Sequence, residues 1–282
     1  MDARYEEKTY ESYFNNELDQ KTSIYFPLGQ VQEGTIGLDS AAHSQSKRLW
    51  KILGYPIPSG LDLREIADEM EVYLGQVVKN IPSMKVNLLF QYKRPEFITR
   101  SSGKEWDLWN CKYFRYDLYA EQHELLAHIE ATFGNDAIVL YAAPTVEDVN
   151  ELVKLKIKGA IISNSNFRRA RELNGHHRNT YIEAGTYSQA CSAPERLPNF
   201  NLLELIEAAE PLQRLENRQV LVDFAEGVRT SMKQSTYLRS AFDSRLSEFQ
   251  GLTRYQLLYA VLSMSIFREI TGTQWIVTLD SH

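Results

Sequence analysis

Val86-Asn87-Leu88-Leu89-Phe90-Gln91-Tyr92-Lys93 is the stretch on which the fold turns. It is a mostly apolar run of strand length, and Arg94-Pro95 stops it. Such a run fits a strand buried on both faces. Its last residues are the unusual ones. On a strand, Gln91 and Lys93 point to one face, and Phe90 and Tyr92 to the other. A lysine at the end of an apolar strand needs a reason, because a buried ammonium is costly unless paired. One reason is a strand emerging into solvent; the other is a site.

Working outward, residues 61–78 predict a helix, with Leu63, Ile66, Met70, Tyr73 and Leu74 on one side. The loop Gly54–Gly60 precedes it and Pro82 ends the region. Residues 5–18 predict a first helix, with Tyr10, Tyr13, Phe14 and Leu18 on one face. Residues 23–29 and 34–39, punctuated by Pro27 and glycines, predict two short strands in a hairpin. Downstream, residues 113–119 predict a strand and 120–133 a helix with Leu125, Leu126 and Ile129 inward. Residues 137–141 predict a second buried strand, and Pro144–Asp148 opens a helix with Thr145 as its N-cap. Residues 1–158 thus read as an α/β unit around a mixed sheet. From Asn201 the pattern is mainly helical, closing on a strand-like tail, Trp275–Leu279. A boundary near Pro194–Pro198 divides 1–195, an α/β domain, from 196–282. The second part reads either as a domain or as a helical appendage packed on the first.

Composition narrows the function. The chain has 282 residues, 43% hydrophobic and 24% charged, which is ordinary for a globular protein. Lys and Arg number 31 against 37 Asp and Glu, a net charge of -6, which argues against coating nucleic acid by bulk charge. Basic charge is concentrated locally instead. Residues 85–104 hold Lys85, Lys93, Arg94, Arg100 and Lys104 against Glu96, a net of +4. Residues 154–178 hold Lys154, Lys156, Lys158, Arg168, Arg169, Arg171 and Arg178 against Glu172, a net of +6. Such patches suit phosphates. Cys111 and Cys191 are too few for a disulfide framework or a zinc ribbon. No apolar run approaches the length of a membrane span, and residues 1–10 lack an apolar leader core. The expectation is a soluble cytoplasmic protein that makes no membrane contact. There is no GxSxG, no Walker loop and no GxGxxG. His176 and His177 face opposite sides of any strand and do not share a metal. The aromatic run Trp106, Trp109, Tyr113, Phe114, Tyr116 and Tyr119 suits either base stacking or core packing.

Glu17 near the end of the first helix, Asp39 at the end of a short strand, and Gln91 and Lys93 on a neighbouring strand form one candidate constellation. Two carboxylates and an amide oxygen are hard ligands suited to Mg²⁺, and an ammonium beside them stabilises developing negative charge. Glu11 is a rival to Glu17, and Glu33 to Asp39.

The order Glu17, Asp39, Gln91-Tyr92-Lys93 within Phe90–Pro95 resembles the restriction-endonuclease-like PD-(D/E)XK nucleases. More narrowly, it resembles their QxK variant in Mrr-type enzymes and in endonuclease domains of bacterial antiphage defence effectors. The likeness covers roughly residues 5–158. Leu38 rather than Pro precedes Asp39, and 52 residues separate Asp39 from Gln91, so the helix at 61–78 enters as an insertion. The resemblance implies a restriction-endonuclease-like α/β fold, a mixed sheet flanked by helices, with a mainly helical C-terminal part. It implies a DNA endonuclease dependent on Mg²⁺ or Mn²⁺, with Glu17, Asp39 and Gln91 at the metal and Lys93 assisting attack. Lys85, Arg94, Arg100, Lys104, Arg168, Arg169 and Arg178 would contact the DNA. A separately encoded sensor or ATPase, or a second copy of the chain, would be its partner. A second reading is a non-catalytic scaffold or assembly subunit of a defence complex that keeps the nuclease-like fold, with Leu252, Leu257, Leu258, Val261 and Phe267 as its interface.

Overall fold

A computed structural model describes residues 3–27, 64, 66–185, 187–192, 194–210, 212 and 216–280. In chain order the elements are α1 (Glu7–Lys21), β1 (Ile24–Tyr25), α2 (Ala67–Asn80), β2 (Met84–Tyr92), β3 (Glu96–Ile98), α3 (Trp106–Trp109) and β4 (Tyr113–Asp117). Then follow α4 (Ala120–Phe133), β5 (Ala137–Pro144), α5 (Val149–Lys158), β6 (Ser165–Arg169), β7 (Arg178–Tyr181), β8 (Tyr187–Ala190) and β9 (Glu195–Pro198). The chain ends with α6 (Leu202–Glu207), α7 (Asn217–Met232), α8 (Thr236–Ser247), α9 (Gln256–Thr271) and β10 (Thr273–Leu279). The protein is mixed α/β, and its described residues form two five-stranded, mostly antiparallel sheets.

The first sheet has the order β1-β10-β2-β5-β6. Its centre, β2, pairs antiparallel with β10 from Met84↔Leu279 to Gln91↔Thr273 and parallel with β5 from Asn87↔Ala137 to Tyr92↔Ala142. Val86, Leu88, Phe90 and Tyr92 face α1, where Tyr10, Phe14 and Leu18 complete one core. Leu89, with Val139, Tyr141, Trp275 and Val277, faces the other way, onto α2, α4, α7 and α9. Both faces of β2 are therefore buried, as its composition requires.

The second sheet has the order β3-β4-β7-β8-β9 and is antiparallel throughout. Its inner face carries Phe114, Tyr116, Tyr181, Ala190 and Leu197 into the larger core. Of its strands the sequence marks β4, within 113–119; the others are three or four residues long and rich in polar side chains.

One expectation changes. The helix after β5 starts at Val149, and Asp148 is its N-cap, accepting from Asn150 N and Glu151 N; Thr145 instead donates to Asn164 O. Residues 196–282 do not stand apart from 1–195: β10 lies between β1 and β2, and α7 and α9 share the larger core with α2 and α4.

Candidate functional site at the end of the central strand

The C-terminal end of β2 carries Gln91 and, one residue past the strand, Lys93. Both are buried, with 5% and 6% of their surfaces exposed. Lys93 is held by its backbone, its N–H donating to Ala142 O at 2.9 Å, which continues the β2–β5 pairing. Its ammonium lies 5.1 Å from the Tyr119 ring centroid and 5.6 Å from that of Tyr141. No carboxylate among the described residues forms an ion pair with it. Burial holds the Lys93 pKa below the usual lysine value; the charges of Glu7 and Asp117 offset this in part.

Glu7 reaches this end from the start of α1. Its Oε2 accepts from Arg94 N at 3.3 Å. Burial pushes the Glu7 carboxyl up, against the pull of Lys93 and the Arg94 amide. Glu11, one turn on, pairs with Arg268 Nη2 at 2.6 Å. Asp117, at the end of β4, is held by Arg178, which keeps its carboxyl below the usual range.

Gln91 Oε1 accepts from Gln122 Nε2 at 3.0 Å and from Thr273 Oγ1 at 2.9 Å. A carbonyl oxygen has two lone pairs, so both are used within the protein. The residue opposite Gln91 on the neighbouring strand is Thr273, not an acid. Beneath Lys93, Tyr141 and His123 form a fixed pair. His123 Nε2 lies 3.0 Å from Leu173 O, which can only accept, so Nε2 carries the proton. Nδ1 then accepts from Tyr141 Oη at 3.0 Å. Burial lowers the His123 pKa, which favours the neutral ring that this tautomer requires.

The other expected residues do not all meet at this strand end among the described residues. Asp39 and its rival Glu33 lie outside the described residues. Glu17 sits ten residues beyond Glu7 on α1, about 15 Å along the helix axis at the ordinary rise. Its carboxylate accepts from Ile161 N at 2.6 Å and Ile162 N at 3.3 Å, and pairs with Lys21 at 2.7 Å. It therefore ties the chain after α5 to α1 and does not join Gln91 and Lys93.

Three arginines expected at DNA turn inward. Arg168 is fully buried and donates to Pro198 O and Asn199 Oδ1. Arg169 is paired with Glu130, and Arg178 with Glu105 and Asp117. Their charges are engaged in internal ion pairs and hydrogen bonds. Lys85 donates to Glu207 O at 2.6 Å. Arg94, Arg100 and Lys104 are exposed; Arg94 contacts Tyr5 O and lies 4.0 Å from Glu6. Lys154, Lys156 and Lys158 on α5, with Arg171, are the exposed basic residues of the second basic patch.

No set of three or more His, Cys, Asp or Glu able to hold a metal ion occurs among the described residues. The described side chains do not by themselves fit a Mg²⁺ centre, since Glu7 is the one acid at Lys93 not already paired with an arginine. Also among the described residues, no helix is long and apolar enough to cross a membrane. The chain matches no protein-family model, no curated protein and no solved structure.

Proposed function

We propose that the protein is a DNA endonuclease whose working site is the end of β2 around Lys93, acting as an effector in bacterial antiphage defence. One observation carries the reading: a strand-end Gln-x-Lys pair is buried side by side, with an acid from the first helix, Glu7, brought to the lysine. Defence and the need for a sensor or ATPase partner rest on the sequence resemblance alone. In this reading Lys93 supplies positive charge to the phosphate as negative charge develops in the transition state. The two aromatic rings and the strand backbone hold its ammonium in place without neutralising it. Gln91, braced by Gln122 and Thr273, orients the strand end. Dependence on Mg²⁺ or Mn²⁺ belongs to the proposal, with Asp39 as its proposed ligand, and no step is derived through the metal.

The test is plasmid cleavage with and without Mg²⁺ or Mn²⁺, beside Lys93→Ala. Metal-dependent nicking by the native protein that Lys93→Ala lacks is the expected result. Cutting by the variant at the native rate overturns the assignment of Lys93.

A second reading, a non-catalytic assembly subunit, is favoured by a specific observation: Gln91, Glu17, Arg168, Arg169 and Arg178 are all engaged in internal contacts. Divalent metal separates the two. A metal that binds the native state raises its melting temperature; a scaffold without a metal site shows no shift and no cutting.

A further inference from the structure

Of the six residues in the aromatic run 106–119, the fold spends four on its core. Trp109 stacks on Tyr187, Phe114 on Phe97 and Tyr181, and Tyr116 on Tyr141, while Tyr113 is fully buried and bonded to Glu105. Trp106 is half-buried at the start of α3. Tyr119 is the exception, with 72% of its surface exposed. It stands at the N-cap of α4, its carbonyl accepting from His123 N at 2.8 Å, so the backbone beneath the ring is fixed. The ring lies over Lys93, which is itself only 6% exposed.

An isolated exposed aromatic is ordinary on a protein surface. An exposed aromatic over a buried lysine that has no ion-pair partner among the described residues is a pairing with chemical meaning. A π-face for a base and a cation for a phosphate are the two elements by which proteins hold single strands, and one nucleotide carries both groups. Inside a closed duplex each base is already stacked on both faces, so the ring would find nothing to stack. Resting on the nuclease reading above, we infer that Tyr119 stacks an unpaired base of the DNA whose phosphate Lys93 engages, so that the site takes single-stranded or locally opened DNA in preference to closed duplex.

The test uses the full chain and labelled oligomers of about 16 nucleotides, the upper end of ordinary single-strand site sizes, with fluorescence anisotropy read in the absence of divalent metal. Three ligands are compared: a single strand, the same strand in duplex, and an abasic oligomer of equal length. The native protein binds the single strand more tightly than the duplex or the abasic oligomer. Tyr119→Ala loses about tenfold in affinity for the base-bearing strand, the loss of one stacked base, and binds the abasic oligomer as the native protein does. Tyr119→Trp keeps the native preference. Tyr119→Leu, which retains apolar bulk without a π-face, behaves as Tyr119→Ala and stands in for it should that variant fold poorly. Native-like affinity of both Tyr119→Ala and Tyr119→Leu for the single strand overturns the inference. So does an equal loss on the abasic oligomer. If the native protein cuts DNA and these variants bind normally, the inference alone falls. If the native protein neither binds nor cuts DNA, the nuclease reading falls and this inference falls with it.

Discussion

Lys93 is a cation with two aromatic rings beside it and no carboxylate bonded to it among the described residues. Taking such a group out of water costs stability, and its lowered pKa is the sign of that cost. The folded chain binds the Lys93 proton less tightly than the unfolded chain does. Between the folded and unfolded pKa values the unfolded state therefore holds more protons, and stability rises with pH through that window. Lys93→Met, which keeps the chain length and removes the charge, is expected to raise the melting temperature at neutral pH. A gain of about 1 kcal/mol corresponds to roughly 2–4 °C for a domain approaching this size. The difference from the native protein shrinks as pH climbs toward 10, and melts at a series of pH values read it. A variant that is less stable at pH 7 would mean the lysine is held by favourable interactions, and the strand end would then be structural. His123 has the same sign in a lower window. Its folded pKa is depressed, so the stability present above the ordinary histidine pKa is lost as pH falls. His123→Asn is expected to flatten the decline of melting temperature between about pH 7 and pH 5, the range in which an ordinary histidine titrates.

At the scale of elements, α1 shows what a sequence contains and what it omits. Glu7, Tyr10, Phe14 and Glu17 share one helical face by spacing alone. Tyr10 and Phe14 do pack on Phe90 and Tyr92, so that face was legible. Which acid meets Lys93 depends on the direction in which the helix lies across the sheet. That direction is set by β1 pairing with β10 near the start of β2, a contact spanning the whole chain, and local pattern does not encode it. α1 therefore runs against β2, bringing Glu7 to Lys93 and Glu17 to the opposite end. The Gln91–Lys93 pair was readable because period-two alternation is local. The inward turn of Arg168, Arg169 and Arg178 was not, because their partners, Pro198, Glu130 and Glu105, lie 30 or more residues away. Glu17→Ala is expected to cost about 1–3 kcal/mol, the usual price of leaving buried amides unpaired, with Glu17→Gln milder because one oxygen still accepts. Urea melts measure both, and on the proposed nuclease reading Glu17→Gln leaves the rate of plasmid cleavage unchanged. A selective loss of cleavage with native stability would return Glu17 to the active site. On the other face, Gly227 of α7 meets α4 closely: a Cβ there would lie 2.3 Å from the Phe133 ring. Gly227→Ala is expected to cost about 1–3 kcal/mol by overpacking, relieved in the double variant with Phe133→Leu, a coupling that a double-mutant cycle reads.

For the molecule as a whole, the C-terminal strand decides whether the part of the chain before it can fold alone. β10 fills the place between β1 and β2, and six of its seven residues are buried. Trp275 stacks on Phe224 and donates to Asn87 Oδ1, binding the helical C-terminal part to the centre of the sheet. Removing β10 would leave one whole edge of β2 without hydrogen-bond partners and open Leu88, Leu89 and Phe90 to water. An unpaired, flat, apolar strand edge is a template for aggregation. A chain ending at Gly272 is therefore expected to lose cooperative unfolding and to self-associate. Far-ultraviolet circular dichroism with light scattering would read this, with the full chain as reference. The same reasoning bears on the site, because Thr273 is one of the two groups that fix Gln91 and Thr271 O receives Gln122. If the truncated chain instead folds, stays monomeric and unfolds in one transition, then β2 is stable at an edge, and residues 273–282 are an added cover and not part of the core. Cleavage by that chain would further show that the end of β2 needs no brace from β10. Loss of folding together with any cleavage that the full chain shows is the outcome this arrangement predicts, since one strand completes both the sheet and the bracing of its end.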